Sequence, residues 1–313
     1  MAGQARGYRS PAYLAALAGL GRPVTLAGGA AALIARPIPG SARADLMGPY
    51  PFLSSDDWPA LLAALAEDRT EDGGDYVTLG FVTDPFCPLP LDAFARRFDI
   101  ARVLNDQYIV DLAAPPAPSR HHRRQLRRPR PGLTLALRAP TAADAAAFAD
   151  LYASLVARKA IRDFRAFDRA SLIAQAQVPG ALIVEARIGG RLAGIDLYYV
   201  DGPRAHAHLS AYDALGYGMA VSYPMMEFAI RALAAHARVL NLGGAPATGG
   251  AGIGHFKRGW TGSTRPSFFC GRVLDPAAYA RLAGAAFAPG GHFPAYRSGE
   301  FAASPPLTAP ERP

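Results

Sequence analysis

The sequence predicts a mixed α/β (α+β) protein of two tandem domains, each a mixed, mostly antiparallel sheet flanked by helices. Its 313 residues correspond to two domains at roughly 150 residues each. Half of the residues are apolar and 19% are charged, a composition that supports large cores. A proline-rich segment followed by an arginine run divides the chain. We expect an N-terminal domain at 1–113, a Pro/Arg-rich junction at 114–131, a C-terminal domain at 132–287 and an irregular tail at 288–313.

Helix and strand patterns alternate along the first half. Ser10 followed by Pro11 is typical of a helix start, and apolar residues then recur at helical spacing until Gly21. Gly28 and Gly29 predict a turn between two strands. The predicted strands are 24–27, 31–38, 76–82 and 102–112, and further helices begin at Asp57 and span 91–98.

The second half has a clearer pattern. Thr141 and Asp144 form a capping pair ahead of an apolar helical stripe, and the dipeptides at 189–190 and 201–202 predict hairpin turns. The other predicted elements are a helix at 169–177, strands at 181–188, 192–200 and 205–212, a glycine loop at 214–219, a helix from Pro224, a strand at 239–242, a helix at 252–260 and a strand at 267–274. In the tail, the aromatic segment 293–297 is expected to pack against the body.

Composition excludes several classes of protein. No run of 18 apolar residues is present, so we expect no membrane span, and the N-terminus lacks the features of a secretory signal. Cys87 and Cys270 are too few for a disulfide framework or a zinc cage. No metalloprotease, nucleophile-elbow or phosphate-loop pattern occurs. These observations predict a cytoplasmic protein without a metal site.

Positive charge is concentrated in one segment. The net charge is +8, and residues 120–130 hold six arginines and no acid. Such a patch suits phosphate-rich partners such as tRNA, nucleotides or anionic lipid headgroups, whereas a solvated linker is the alternative. No helix-turn-helix or zinc-finger spacing accompanies the patch, so binding of specific DNA is not expected. The candidate binding residues are Arg123, Arg124, Arg127 and Arg128.

The most specific passage runs from Ala205 to Gly262. It contains His206-Ala-His208-Leu-Ser210-Ala-Tyr212, a glycine loop, Ser222-Tyr223-Pro224, Leu240-Asn241-Leu242-Gly243-Gly244 and His255-Phe256-Lys257-Arg258-Gly259-Trp260. This succession resembles the Fem-type transferases and their BioF-like acetyltransferase relatives in the GNAT superfamily, proteins built from two GNAT-like halves. The resemblance covers about residues 10–280 in layout and residues 180–275 in motif.

The resemblance implies an acyltransferase that uses aminoacyl-tRNA as its donor and binds no cofactor tightly. It would form an amide or ester on an amine or hydroxyl of a small molecule or a cell-wall (peptidoglycan) precursor. Lys257 falls on the lysine that family members place beside the transferring acyl group. Tyr50 falls in a loop that, in similar proteins, lies near the acceptor cleft, and we expect it to bind substrate.

Chemistry gives Lys257 a role independently of the resemblance. Attack on an ester or thioester builds negative charge on the carbonyl oxygen, and a fixed cation there stabilises the transition state. Lys257 is one of two lysines in the chain. A surface lysine on an amphipathic helix is the alternative. Substrate binding is expected from other positions of the same passage: Ser210, Tyr223, Asn241, Gly243, Phe256, Arg258 and Trp260.

Four polar side chains are predicted to share one face of a strand. His206, His208, Ser210 and Tyr212 alternate with apolar residues at the period of a β-strand. A histidine of near-neutral pKa is suited to take a proton from an attacking ammonium. His208 and Tyr212 are the candidate catalytic residues of this strand, and polar groups bonded within the sheet are the alternative.

The glycine loop bears on the identity of the donor. GNAT enzymes that use acetyl-CoA usually carry Gln/Arg-x-x-Gly-x-Gly/Ala, whose amides bind the pyrophosphate. Here Gly216 and Gly218 are present, but Asp213 replaces the expected cation or amide. The two glycines are candidate cofactor-binding residues, although an acid at this position disfavours CoA.

Three hypotheses follow from these patterns. The first is a transferase that depends on aminoacyl-tRNA, and the second is an acyl-CoA-dependent N-acyltransferase of GNAT type. The third is a non-catalytic protein that binds nucleic acid or membrane through the arginine patch.

Overall fold

All strands of the described chain belong to one mixed sheet. The computed structural model describes residues 5–67, 70–245, 251–284 and 291–300. The strands in these ranges are β1 (Arg22–Thr25), β2 (Ala32–Pro37), β3 (Ala44–Met47), β4 (Tyr76–Val82), β5 (Ile100–Asp111), β6 (Leu133–Arg138), β7 (Ala181–Ile188), β8 (Arg191–Asp201), β9 (Arg204–Tyr212), β10 (Val239–Gly244) and β11 (Thr264–Val273).

Helices cover both faces of this sheet. In the described ranges they are α1 (Pro11–Ala16), α2 (Trp58–Glu67), α3 (Leu91–Ala95), α4 (Arg120–Leu126), α5 (Ala142–Lys159), α6 (Arg169–Ala176), α7 (Ala214–Gly218), α8 (Ser222–Leu233), α9 (Ala251–Arg258) and α10 (Pro276–Ala283). One face carries a core from α1, α5 and α6 that includes Tyr13, Phe148 and Tyr199. The opposite face of the second half carries a core from α8 and the end of α9 that includes Met225 and Trp260.

In the middle of the sheet, strands β9 and β10 pair over only part of their length. The strand order is β1-β2-β3-β4-β11-β5-β10-β9-β8-β7-β6. Strands β9 and β10 run parallel and pair only as far as His206 and Asn241, although both strands continue beyond these residues. On its other side β10 pairs with β5, with an irregular register between Asn241 and Gly244. The end of β10 is therefore free of a regular neighbour on the β9 side.

The structure confirms the predicted fold class and most of the predicted elements. Thr141 Oγ1 accepts a hydrogen bond from the Asp144 amide at 3.2 Å and caps α5 as expected. The sequence missed the short strand β3, the strand β6 and three helices. Of these helices, α4 lies in the predicted junction, α7 lies in the predicted glycine loop, and α10 follows the last predicted strand.

Strand β11 connects the two halves of the chain. The sequence places it in the C-terminal domain, whereas in the sheet it lies between β4 and β5. A strand from the end of the chain thus completes the sheet of the first half. The predicted domain boundaries stay predictions.

The described part of the tail packs against the body, as the sequence predicts for its aromatic segment. Phe293 stacks on Tyr279 of α10 at 6.0 Å between ring centroids, and a Cβ added at Gly271 would lie 2.6 Å from the Phe293 ring. Residues 288–290 and 301–313 of the predicted irregular tail lie outside the described residues.

Two further expectations concern the membrane and the cysteines. None of the helices within the described ranges combines the length and apolar character needed to cross a bilayer. Cys87 and Cys270 are free thiols, and burial raises the pKa of each to about 12.

Candidate active site

Lys257 lies in the last turn of α9, and its side chain reaches the free end of β10. Its Nζ donates a hydrogen bond to the Gly244 carbonyl at 2.7 Å. The side chain is half-buried, and burial lowers the pKa of Lys257 to about 8. Gly243 makes this approach possible: its φ is +83°, and a Cβ there would lie 2.9 Å from Nζ. An ammonium group is therefore fixed where the sheet opens.

A row of amide side chains adjoins the lysine. Asn241 Nδ2 donates to Gln107 Oε1 at 3.4 Å, and Gln107 Nε2 donates to Asn105 Oδ1 at 2.6 Å. Asn241 Oδ1 also accepts from the Gly243 amide at 2.8 Å. A Cβ on Gly244 would lie 2.8 Å from the Asn105 side chain. The structure thus places the predicted residues Asn241 and Gly243 beside Lys257, and adds Gln107 and Asn105 to the site.

The aromatic neighbours of Lys257 form part of the core. Trp260 is 2% exposed, and its ring centroid lies 6.0 Å from that of Phe256, which in turn lies 5.2 Å from that of Tyr223. These predicted substrate-binding residues support α9 from the side of α8. Arg258 is exposed, and its Nη1 donates to Tyr108 Oη at 3.2 Å.

The arginine run forms an exposed basic surface on α4 and on the residues that directly follow this helix. We call it the arginine surface; its exposed residues are Arg120, Arg123, Arg124, Arg127 and Arg128. Within the described ranges no ion pair joins any of them to a carboxylate. The sixth arginine, Arg130, is different, because it donates to the carbonyls of Met219 and Ala220 at 2.7 and 3.1 Å and so anchors the end of α4. Unpaired guanidinium groups at the surface are suited to binding phosphate.

The expectation that four side chains of β9 share one face is wrong, because a bulge interrupts the strand. Leu197 pairs with Leu209 while Tyr198 pairs with Ala207, which leaves His208 as the extra residue. A bulge of one residue reverses the alternation of side chains that follows it. His206 and His208 therefore face the core that contains Tyr199, whereas Tyr212 faces the core of α8.

Both ring nitrogens of His208 are hydrogen bonded. Nε2 lies 2.7 Å from Gln175 Oε1, which can only accept, so Nδ1 accepts from Tyr8 Oη at 2.9 Å. Burial lowers the pKa of His208 to about 3. Neighbouring His206 is buried, its pKa is likewise lowered to about 3, and its Nδ1 has no hydrogen-bond partner among the described residues. In this arrangement His208 has no nitrogen free to accept a proton from substrate.

Tyr212 belongs to a buried polar cluster on the opposite face. Its hydroxyl donates to Asp196 Oδ1 at 2.7 Å, and Tyr198 donates to Asp196 Oδ2 at 3.4 Å. Ser210 also bonds to Asp196, and burial raises the pKa of this carboxyl to about 6. The Tyr212 and Ser210 side chains thus bind Asp196, apart from Lys257.

Asp213 is hydrogen bonded to a backbone amide of the glycine loop. In the acetyl-CoA motif the amides of this loop bind phosphate. Its carboxylate caps α7 by accepting from the Gly216 amide at 2.7 Å, and it pairs with Arg191 at 2.7 Å. Gly216 is needed for packing, because a Cβ there would lie 2.1 Å from the Ala193 carbonyl oxygen. Gly218 is exposed. The Asp213 carboxylate is thus engaged by the Gly216 amide on one oxygen and by Arg191 on the other.

Tyr50 lies in an aromatic cluster between the two halves of the chain. Its ring centroid is 5.6 Å from that of Phe167 and 6.5 Å from that of His208, and its backbone carbonyl accepts from Tyr13 Oη. Burial raises the pKa of Tyr50 to about 12, so the phenol stays neutral. No cluster of His, Cys, Asp or Glu with the geometry of a metal site occurs in the part of the chain that the structure describes.

Comparison with protein families identifies one domain. Residues 116–258 match the acetyltransferase (GNAT) domain family. This range contains the arginine surface, the glycine loop and Lys257. Among curated proteins, none matches the chain.

Three solved structures share the fold over most of the chain. FemX is 11% identical with a TM-score of 0.60, over 88% of this chain and 94% of FemX. The C-terminal domain of a protein described as a lysylphosphatidylglycerol synthetase, from Agrobacterium fabrum, is 18% identical with a TM-score of 0.56, over 85% and 88%. L-PGS from Bacillus licheniformis is 14% identical with a TM-score of 0.56, over 89% and 96%. At these identities the likeness is one of fold.

Proposed function

We propose that this chain, a GNAT-type acyltransferase with the fold of the Fem-like group, transfers an aminoacyl group from aminoacyl-tRNA. The acceptor is an amine or hydroxyl of a small molecule or of a cell-wall precursor. The observation that carries the proposal is the position of Lys257, whose ammonium is fixed beside Gly243 and Gly244 where β9 and β10 separate.

The main requirement of the reaction is that the protein stabilises the negative charge on the carbonyl oxygen. A base from the protein is less important. The acceptor nitrogen or oxygen attacks the ester carbonyl, the bond to the tRNA ribose breaks, and the proton lost by the nucleophile passes to the departing oxygen, directly or through water. The Lys257 ammonium stabilises the oxyanion that forms between these events. Asn241 and Gln107 supply neutral donors and acceptors beside it for positioning the substrate.

Two features favour tRNA as the donor. The arginine surface on α4 has no acid partners in the described residues, and α4 packs directly against α9, which carries Lys257. The Asp213 carboxylate, itself paired with Arg191, accepts from the Gly216 amide, so this amide of the glycine loop is not free to bind a CoA phosphate. Because charged tRNA is a cytoplasmic molecule, the proposal places the reaction in the cytoplasm.

The second candidate is an acyl-CoA-dependent N-acyltransferase, and the match of residues 116–258 to an acetyltransferase domain favours it. A comparison of donors distinguishes the two. Purified protein is incubated with charged total tRNA or with an acyl-CoA mixture together with cellular amines, and products are identified by mass. Transfer from charged tRNA that RNase abolishes supports the proposal, whereas transfer from acyl-CoA alone contradicts it.

The pH dependence of turnover is expected to show the lowered pKa of Lys257. The charged form of the lysine is the active one, and it is lost as the pH rises through about 8. We expect kcat to decline on the alkaline side with a midpoint near pH 8, two units or more below that of an ordinary lysine. Lys257→Arg is the matched variant, because a guanidinium stays charged and removes the decline. An alkaline limb that is identical in both proteins would contradict this role.

The arginine surface is expected to bind RNA through phosphates. Replacing Arg123, Arg124, Arg127 and Arg128 by Gln should weaken binding of a tRNA acceptor-stem duplex at least tenfold at low salt. The slope of log K against log salt should fall by about 0.7–0.9 for each phosphate that the variant no longer neutralises. The control replaces by Gln the exposed Arg96 and Arg97, which directly follow α3. The affinity for the duplex is measured by fluorescence anisotropy. Equal affinities of the two variants would contradict a role in RNA binding and favour the interpretation of the segment as a solvated linker.

A further inference from the structure

One buried histidine joins the arginine surface to the lysine. His122 lies in α4, is 0% exposed, and contacts the last turn of α9, where Phe256 immediately precedes Lys257. We propose that His122 is a positioning residue, which fixes α9 and thereby holds the Lys257 ammonium at the end of β10. This inference rests on the proposed function only for the reaction that Lys257 then serves.

The hydrogen bonds of His122 determine its tautomer. Nε2 lies 2.8 Å from the Phe256 carbonyl oxygen, which can only accept, so Nε2 carries the proton. Nδ1 lies 3.0 Å from Ser119 Oγ and accepts from that hydroxyl. Burial lowers the pKa of His122, so the ring stays neutral and the donor to α9 stays in place near pH 7. Ser119 Oγ also caps α4 by accepting from the His122 amide at 3.2 Å.

Helix α9 needs such an external bond because it is short. The last carbonyls of a helix have no partners within it, and a helix of two turns is marginal by itself. The bond from His122 at 2.8 Å reaches a carbonyl in the last turn, one residue before the lysine, that also accepts from the Gly259 amide at 3.3 Å. A second bond joins the same two segments, from the Ser119 amide to the Gly259 carbonyl at 2.8 Å.

The His122 ring is closely packed on several sides. A Cβ on Gly259 would lie 1.9 Å from His122 Cε1, so only glycine fits at that position. The Trp260 ring meets the histidine edge to face, with centroids 4.8 Å apart, and the Tyr223 ring lies 5.0 Å away. The titratable groups that face His122 from neighbouring elements are His121 on α4, His255 on α9 and Tyr223 on α8. Rotation or loss of the ring would therefore leave the backbone bond from Ser119 to Gly259 and remove the side-chain hydrogen bond described above that fixes the last turn of α9 to α4.

The reactivity of Lys257 measures this positioning without any substrate. The chain has two lysines, so an amine-reactive acetylating reagent followed by peptide mass spectrometry reports Lys257, with the exposed Lys159 as internal reference. In the native protein the labelling midpoint of Lys257 should lie near pH 8, because burial lowers the pKa of this lysine to about 8. His122→Phe keeps a ring of similar size but removes both hydrogen bonds. We expect the Lys257 midpoint to rise by at least one pH unit, because a released side chain becomes solvated, while the Lys159 midpoint stays unchanged.

Further variants separate positioning from general loss of stability. His122→Gln retains a donor for the Phe256 carbonyl and should restore the native midpoint. Met226→Ala removes packing from the same core without touching α9 through a hydrogen bond, and should leave the midpoint unchanged despite a lower melting temperature. If His122→Phe does not fold, Ser119→Ala, which removes the hydroxyl bonded to Nδ1, should shift the midpoint in the same direction by a smaller amount.

Turnover provides the second readout once a donor is known. His122→Phe should lower kcat at least tenfold while the KM for donor stays within twofold. A folded His122→Phe or Ser119→Ala protein with the native Lys257 midpoint would overturn the proposal. Because the labelling requires no donor or acceptor, this result is independent of whether the proposed function holds.

Discussion

Replacing Lys257 by alanine should lower turnover by about 10²–10³-fold, the usual effect of removing one fixed donor to an oxyanion. The reason is that Lys257 supplies the ammonium at the end of β10, where it is held by the Gly244 carbonyl. Folding should be unaffected, because a half-buried charge is removed together with its desolvation cost. Single-turnover rates with saturating donor measure the chemical step directly.

The matched control for this variant is the other lysine. Lys159 is exposed in the last turn of α5, and Lys159→Ala should keep turnover within twofold. Unchanged single-turnover rates in Lys257→Ala would remove the lysine from the mechanism, and with it the proposed stabilisation of the oxyanion.

Replacing Arg297 by alanine should destabilise the protein by about 3–5 kcal/mol, the usual cost of leaving a buried charge without its partner. Arg297 Nε donates to Asp45 Oδ2 at 2.7 Å, and both side chains are 5% exposed. Its Nη2 also donates to the Pro37 carbonyl at 2.9 Å. Without the guanidinium, the Asp45 carboxylate at β3 stays buried and loses the cation that is hydrogen bonded to it. Chemical denaturation monitored by circular dichroism measures the change.

An exposed ion pair provides the comparison for Arg297. Arg22 pairs with Asp72 at 2.6 Å, but its side chain is 62% exposed, so Arg22→Ala should destabilise the protein far less than Arg297→Ala. Similar losses for the two variants would show that the segment 293–297 contributes no more than an ordinary surface contact.

The order of elements was predictable because the local signals are strong. Ser10-Pro11, Thr141 with Asp144, and the glycine turns each act within a few residues, and the structure confirms them. Residues 116–258 match the acetyltransferase (GNAT) domain and the chain shares its fold with FemX, as the predicted GNAT-type, Fem-like resemblance implies. The position of β11 between β4 and β5 was not predictable, since pairing between distant strands has no signature in either segment.

In the site, too, the contacts between distant segments were not predictable from the sequence. Lys257, Asn241 and Gly243 come together because one passage of sequence contains them. The bulge at His208 reverses the faces of β9, and a register shift of one residue leaves no trace in an alternating pattern. Gln107 was missed because it approaches Asn241 from a strand of the other half, and its sequence neighbourhood indicates only an interrupted strand.

The most direct test of the account asks whether a tRNA-linked acyl group lies against Lys257. A tRNA acceptor-stem duplex that carries an amino acid through a non-hydrolysable amide is added to the protein, and lysine acetylation is followed by mass spectrometry. We expect the aminoacyl duplex to protect Lys257 at least tenfold while Lys159 reacts at its usual rate, and the uncharged duplex to protect Lys257 less. Labelling of Lys257 at the same rate with and without saturating aminoacyl duplex would contradict the account.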